Sequence, residues 1–438
     1  MTQKTFAGGL HPPDSKQFSA HKPIERCPLP AELIIPAAQH IGAPAEICVA
    51  VGDLVKKGQI IANAKGFVSV PVHASTSGEV IAVEPRLHPM GRPLPAVVIK
   101  PDGLDQWDES LKGNDPEQLD VATLKDLIRN AGIVGLGGAT FPAHVKLSPP
   151  QDKTIDTLIL NGVECEPFLT ADHRLMLEES ARLIDGIKIL CKVLGISTAI
   201  IGIEANKPDA IDFLSKECAP HKIAVQSLKV QYPQGAEKQL IDACTGRQVP
   251  SGGLPMDCGV VVQNVGTAAA ISDAIRLGRP LVERIATITG PGIKEPKNLL
   301  IAIGTPLQHL VNQCGGLNGE PAKIIMGGPM MGQTQLSLEV PAIRGTSGVL
   351  IFREQDLPQM KASPCIRCGR CISVCPIHLQ PTTIATYARL ELVDEAESYH
   401  ALDCIECGCC TYICPATLPL VQSIRHIKGG IMAKRRKL

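Results

Sequence analysis

Two segments late in the sequence repeat one spacing: Cys365, Cys368, Cys371 and Cys375 before Pro376, and Cys404, Cys407, Cys410 and Cys414 before Pro415. Both read C-x2-C-x2-C-x3-C-P, and nothing else in the chain restricts its fold so tightly. At this spacing three thiolates wrap one corner of a [4Fe-4S] cubane, while the fourth ligates the other cluster. The two motifs are therefore expected to fold against each other. Cys365, Cys368, Cys371 and Cys414 would hold one cluster, and Cys404, Cys407, Cys410 and Cys375 the second. Gly369 and Gly408 suit backbone packed around a cluster, where a residue without Cβ is favoured. Structural zinc is the alternative, although zinc pairs usually repeat as two C-x2-C knuckles without the trailing C-P.

The other nine of the 17 cysteines are scattered singly. Without an apolar segment resembling a secretory signal, they read as reduced thiols rather than a disulfide framework. Cys409, inside the second motif but outside its ligand spacing, is expected to be a bystander. Lys+Arg and Asp+Glu balance at 43 each and aromatics make up 3% of the chain, which argues against a nucleic-acid partner. No stretch approaches the ~18 uncharged apolar residues of a membrane span. The longest, Val193 to Ile203, stops at 11 residues, so a protein on the cytosolic side is expected.

Low-potential clusters move single electrons and need a group to load them. "AGIVGLGGATFPAHVKL" (131–147) follows an amphipathic helix, Leu119 to Ala131. Its Gly135, Gly137 and Gly138 would let backbone amides approach a phosphate or a flat ring, and Lys146 could neutralise an anion. An ordinary turn is the competing reading, because the loop does not fit G-x-G-x-x-G after a strand. "TLILNGVECEPF" then reads as a buried strand ending in Asn161, Glu164, Cys165 and Glu166. Polar groups past a strand's carboxyl end are where open α/β sheets bind ligands, although two loop glutamates are more often solvated surface.

The order G-x-G-G-A-x-F-P, N-x-x-E-x-E-P and then "QNVGTAAAI" resembles the FMN- and NADH-binding flavoprotein subunit of respiratory complex I. Together with the two cysteine motifs, nearly the whole chain is similar to the C subunits of Rnf electron-transport complexes. That resemblance implies non-covalent FMN on Gly135, Gly137, Gly138, Lys146, Asn161, Glu164, Asn264 and Thr267. It implies NADH at Phe141, Glu166, Tyr232 and Glu237. Leu136, Val163 and Ala236 stand where complex I has an arginine, an acid and a glutamate. The implied activity is NADH/ferredoxin oxidoreduction: hydride exchange between NADH and FMN, then single electrons through two [4Fe-4S] clusters. Implied partners are the integral membrane and iron-sulfur subunits of the complex, with ferredoxin or flavodoxin reached through it and ion movement coupled to it. The implied location is peripheral, on the cytoplasmic face of the inner membrane. The rival readings are a diaphorase module of a soluble hydrogenase or formate dehydrogenase, and a non-enzymatic ferredoxin-like conduit.

The expected architecture is a multidomain α/β chain. Residues 1–112 look like a biotinyl/lipoyl-type barrel-sandwich domain. Lys65 falls where a lipoyl lysine would, but in "NAKG" the acidic pair before that lysine is missing, so a docking role is expected. Residues 113–284 would form the FMN/NADH-binding α/β domain, with one helix over 174–194 and a mostly parallel sheet. Residues 285–355 resemble the β-grasp (SLBB-like) module, in which Met330 and Met331 should fill core or an interface rather than serve a cofactor. Residues 356–425 would be a two-[4Fe-4S] ferredoxin-like α-helical domain, and 426–438 a basic tail, either solvated or touching anionic lipid or an acidic partner.

Overall fold

The computed structural model describes residues 4–358 and 361–436. The first residues do not belong to the barrel. They run as an extended strap over the α/β domain, with bridges from Lys4 to Leu228 and from Leu10 to Tyr232. Strand β1 (Ile24–Arg26) then joins the β-grasp sheet in parallel.

The barrel-sandwich begins after this strap. Its strands are β2 (Leu33–Pro36), β3 (Glu46–Ile47), β4 (Leu54–Val55), β5 (Ile60–Asn63), β6 (Val72–His73), β7 (Gly78–Leu87) and β8 (Pro93–Pro101). They form two antiparallel sheets, β2-β8-β7-β4 and β3-β5-β6, closed over Leu33, Ile61, Val72, Val80 and Ile99. The turn carrying Lys65 rests on the α/β domain: Arg129 donates to the Gly66 carbonyl at 2.9 Å and His144 Nε2 to that of Phe67 at 2.9 Å. The expected docking role fits these contacts.

The α/β domain comprises α1 (Val121–Asn130), α2 (Ala143–Lys146), β9 (Thr157–Asn161), α3 (Ala171–Glu178), α4 (Ser180–Leu194), β10 (Ala199–Glu204), α5 (Pro208–Cys218), β11 (Ile223–Leu228), α6 (Glu237–Thr245), β12 (Val260–Asn264) and α7 (Val265–Arg276). Asp120 starts α1 by accepting the Thr123 amide at 2.7 Å. The sheet is wholly parallel in the order β11-β10-β9-β12. Buried on both faces, its strands are near-continuous apolar runs. The single helix expected over 174–194 is two, because Glu179 (φ −125°, ψ 28°) leaves helical geometry between α3 and α4. Gly186 lets α4 cross α7 closely, since a Cβ there would collide with the Ala268 carbonyl.

The β-grasp module follows as β13 (Glu283–Thr289), β14 (Lys297–Ala302), α8 (Leu307–Gln313), β15 (Lys323–Met326), β16 (Gln333–Gln335) and β17 (Gly348–Phe352), in the sheet order β1-β14-β13-β17-β15-β16. The cysteine domain is helical: α9 (Arg370–Ser373), α10 (Pro381–Arg389), α11 (Val393–Ser398), α12 (Cys409–Tyr412) and α13 (Leu420–Arg435).

Helix α13 corrects the division at residue 425. It passes straight through that point and buries Ile424, Ile427 and Ile431 against Ile384, Ala388 and Ala396. Each such side chain contributes roughly 1.5–3 kcal/mol on burial, so the segment is a core helix and not a solvated tail. Its basic groups meet acids of the same chain: Arg425 and Lys428 with Glu406, Lys434 with Asp394 and Arg435 with Glu397. Residues 437–438 lie outside the described chain.

Candidate functional site

The carboxyl ends of β9 and β12 stop at Asn161 and Asn264, one on each of two neighbouring parallel strands, and the glycine loop lies against them. The loop is fixed by its own backbone: Gly135 N donates to Phe141 O (2.9 Å) and Thr140 N to Gly135 O (3.2 Å). Thr267, fully enclosed, holds it from beneath by accepting from Leu136 N at 2.9 Å. Gly137 and Gly138 are exposed. A Cβ on Gly138 (φ 106°) would enter open space, and one on Gly137 would reach the Asn264 side chain at 3.7 Å. Asn264 caps α7 through Gly266 N (2.8 Å), so the positive end of that helix lies under the loop. Lys146 Nζ is beside Glu237 (2.6 Å) and the Val262 carbonyl (3.2 Å).

The segment after β9 is equally determined. Asn161 donates to the Gly235 carbonyl at 2.8 Å. Glu164 accepts from Asp172 N (2.8 Å) and His173 N (3.2 Å), the first amides of α3. Asp172 receives the Asn264 amide at 2.7 Å. Its carboxyl is pushed up to about 7, by burial first and by the neighbouring Glu164 second. Beneath Leu136, Arg284 donates to that residue's carbonyl at 3.3 Å, and burial lowers its pKa to about 10. Neither Asp172 nor Arg284 was legible in the sequence, because a helix-start aspartate and a strand arginine usually face water.

A cradle that a Cβ would fill, a lysine, a helix start and two strand-end asparagines fit FMN. Among the residues expected on the flavin side, Gly135, Gly137, Gly138, Lys146, Asn161, Glu164 and Asn264 gather at this edge, while Thr267 supports the loop from inside.

The four nucleotide-side residues divide. Phe141 lies on the glycine loop, and Glu237 faces Lys146. Glu166 and Tyr232 turn the other way, Glu166 to the β-grasp module and Tyr232 to the cysteine domain. Glu166 accepts from Met330 N (3.0 Å) and Met331 N (2.9 Å), and burial pushes its carboxyl up to about 7. Tyr232 is only 2% exposed, and its hydroxyl donates to the Cys407 carbonyl at 2.8 Å. The resemblance alone could not reveal this orientation, which depends on where the cysteine domain docks.

The eight motif cysteines surround two cavities. Cys365, Cys368, Cys371 and Cys414 line one, and Cys375, Cys404, Cys407 and Cys410 the other, where Cys409 is a fifth lining cysteine. The backbone repeats between the motifs: Arg367 and Glu406 (φ 56° and 57°), Gly369 and Gly408 (73° and 79°), His378 and Thr417 (57° and 50°). Amides already point at sulfur, with Arg367 N on Cys365 (3.4 Å), Glu406 N on Cys404 (3.4 Å) and Leu379 N on Cys375 (3.3 Å). Cysteine sulfurs gathered in fours, three of them facing backbone amides, fit two iron-sulfur clusters. The environments differ: Cys365 and Cys368 are exposed, whereas Cys407 is buried against Leu10 and Tyr232 and Cys410 among Ala385, Leu420 and Val421 of the cysteine domain itself. Cys409 is fully enclosed, packed with Leu10, Tyr232 and Cys407.

Fold and site together define a flavin- and iron-sulfur-dependent electron-transfer protein. Four family models match: the RnfC barrel sandwich hybrid domain (residues 4–104), the Nuo51 FMN-binding domain (128–273), the SLBB domain (285–334) and the 4Fe-4S dicluster domain (357–415). The C subunit of the proton-translocating ferredoxin:NAD(+) oxidoreductase complex of Clostridium ljungdahlii is 52% identical over 97% of this chain and 93% of its own. The Na(+)-translocating counterpart of Acetobacterium woodii is 52% identical over 99% and 98%. The C subunit of the ion-translocating oxidoreductase complex of Rhodobacter capsulatus is 43% identical over 97% and 83%. A solved NAD+-reducing [NiFe]-hydrogenase shares 16% identity over 74% of this chain and 62% of that chain, with a TM-score of 0.47. The chain belongs to the family of C subunits of Rnf-type ion-translocating oxidoreductase complexes, which sets aside the diaphorase and conduit readings. Among the described residues no helix is long and apolar enough to cross a membrane.

Proposed function

We propose that this chain is the NAD(H)-handling subunit of an Rnf complex, on the cytoplasmic face of the membrane, passing electrons between NADH and the iron-sulfur and membrane subunits that serve ferredoxin. FMN, when bound, supplies the conversion between an electron pair and single electrons. The residues supply placement. Gly135, Gly137 and Gly138 give a cradle without Cβ atoms, Lys146 and the α7 start oppose a phosphate, and Asn161, Glu164 and Asn264 fix the strand-end side. Phe141 offers a ring for the nicotinamide, and Glu237 a carboxylate for the nucleotide.

Cys375, Cys404, Cys407 and Cys410 would hold the cluster nearer the flavin, and Cys365, Cys368, Cys371 and Cys414 the outer one. The observation that carries this order is the Tyr232 contact: one side chain rooted in the flavin domain bonds the backbone of the buried quartet. The outer quartet, with exposed Ile366 and Ile372 beside it, faces away toward a partner.

The test is reduction of the purified, cluster-loaded chain by NADH, followed in flavin absorbance and in electron paramagnetic resonance. The reading requires flavin bleaching followed by reduction of the buried cluster. Bleaching with both clusters left oxidised would refute it.

A further inference from the structure

Two lysines that neither the cysteine motifs nor the flavin set includes lie beneath the flavin-side loop. Lys16, in the N-terminal strap, is 6% exposed, and Lys207 is fully enclosed. Lys16 Nζ donates to the carbonyls of Glu164 (2.9 Å), Glu166 (3.1 Å) and Leu169 (2.5 Å). Lys207 Nζ donates to that of Val163 (2.7 Å) and to Asn206 Oδ1 (3.1 Å), with Glu204 at 3.7 Å. Two ammonium groups thus gather four carbonyls of one short loop.

That loop needs a hold. Glu164 (φ 48°) and Phe168 (φ 70°) occupy the left-handed region, where non-glycine residues persist only when surrounding structure imposes it. The strap grips it repeatedly: Asp14 O accepts Phe168 N (2.8 Å), Phe18 stacks on Phe168 at 5.8 Å, and Ser19 Oγ meets Thr170 Oγ1 at 2.7 Å. The loop in turn sets Glu164, which starts α3, and Glu166, which reaches Met330 and Met331. Burial and the nearby Lys207 lower the pKa of Lys16, and the surrounding acids Glu164 and Glu204 oppose that shift.

We propose that Lys16 and Lys207 are positioning residues of the flavin site: they hold Val163–Leu169 in its working shape, and their charges raise the potential of bound FMN. The proposal rests on the flavin assignment above and extends it to a strap that lies outside both the barrel and the α/β domain. Lys207 acts electrostatically on Asp172, which bonds Asn264 at the flavin edge; a cation within such reach favours the reduced, more anionic form of a flavin, so neutralising one shifts the midpoint potential to more negative values.

The test uses the full cluster-loaded chain with Lys16→Met, Lys207→Met and the charge-preserving Lys16→Arg. Amide hydrogen exchange over residues 163–170 reads the hold, and spectroelectrochemical titration of the flavin reads the charge. Expected are faster loop exchange and a more negative flavin midpoint in both methionine variants, with partial return in Lys16→Arg. Should Lys207→Met not fold, Lys16→Met decides. Unchanged exchange overturns the proposal, and so does faster exchange with an unmoved potential, which would leave only a structural role. A parent protein that binds no flavin would refute the flavin assignment and the charge effect with it, while loop exchange would still decide the hold.

Discussion

The hydroxyl of Tyr232 lies 2.8 Å from the carbonyl of Cys407, so a side chain of the flavin domain ends on the backbone that carries a cluster ligand. Gln239 repeats the theme nearby, donating to the Pro376 carbonyl at 3.1 Å, and Gly252 N donates to Asp403 at 2.9 Å. The two domains are therefore joined by directed polar contacts beside the buried quartet.

Tyr232→Phe should keep flavin and both clusters but lose this bond, destabilising the interface by about 1 kcal/mol. In stopped-flow experiments flavin bleaching by NADH should be unaltered while cluster reduction slows. Slowing of both steps in parallel would place Tyr232 at the nucleotide instead.

Cys414→Ser should empty the exposed quartet, although residue 414 follows the other one in sequence. Cys375→Ser should do the reverse. Each variant should retain about half the parent's iron, and paramagnetic resonance should show which cluster signal remains. Loss of the sequence-adjacent cluster in either variant would disprove crossed ligation.

Lys146→Met removes the cation at the cradle. A charge-assisted contact of this kind contributes about 1.5–3 kcal/mol, so FMN affinity should fall by at least about tenfold while iron content is unchanged. Flavin fluorescence titration measures this directly.

Asp172 gives a pH dependence with a definite sign. Its folded pKa, about 7, lies above its ordinary value of 3.8, so between the two the folded chain holds a proton that the unfolded chain releases. Stability from this group therefore declines as pH rises through that window and levels off above the folded value. Burial drives the shift and Glu164 adds to it, while Asn264, Arg284 and Lys207 temper it. Asp172→Asn should abolish this slope, so that the stability of the variant relative to its parent rises from about pH 5 to about pH 8. A difference in urea midpoints that is the same at both pH values would contradict this.

Ile427→Ala should cost about 2–5 kcal/mol and release clusters on mild heating, because α13 is a core element. A variant of parental stability would return the segment to a tail.

The cysteine quartets were legible because ligand spacing is a covalent constraint that tertiary context cannot alter. The glycine loop and strand ends were legible through the order of short motifs. What escaped depends on contacts distant in sequence. Lys16 looks like any surface lysine until it is seen to meet carbonyls near residue 166. The helix ending at Arg435 looked like a charged tail because its neutralising acids, Asp394 and Glu397, sit on another helix. Glu166 and Tyr232 stand out through the family resemblance, but their direction is set by domain docking, which no local pattern encodes.

The strap also carries a consequence for biogenesis. Gly9 N donates to the Val374 carbonyl at 2.9 Å, and Gly8 lies against Cys375 and Pro376, so a segment made early closes over a cysteine loop made long after it. The compartment around the buried quartet is completed only once every intervening domain has been synthesised. The strap can take its place on that loop only after all of them are made.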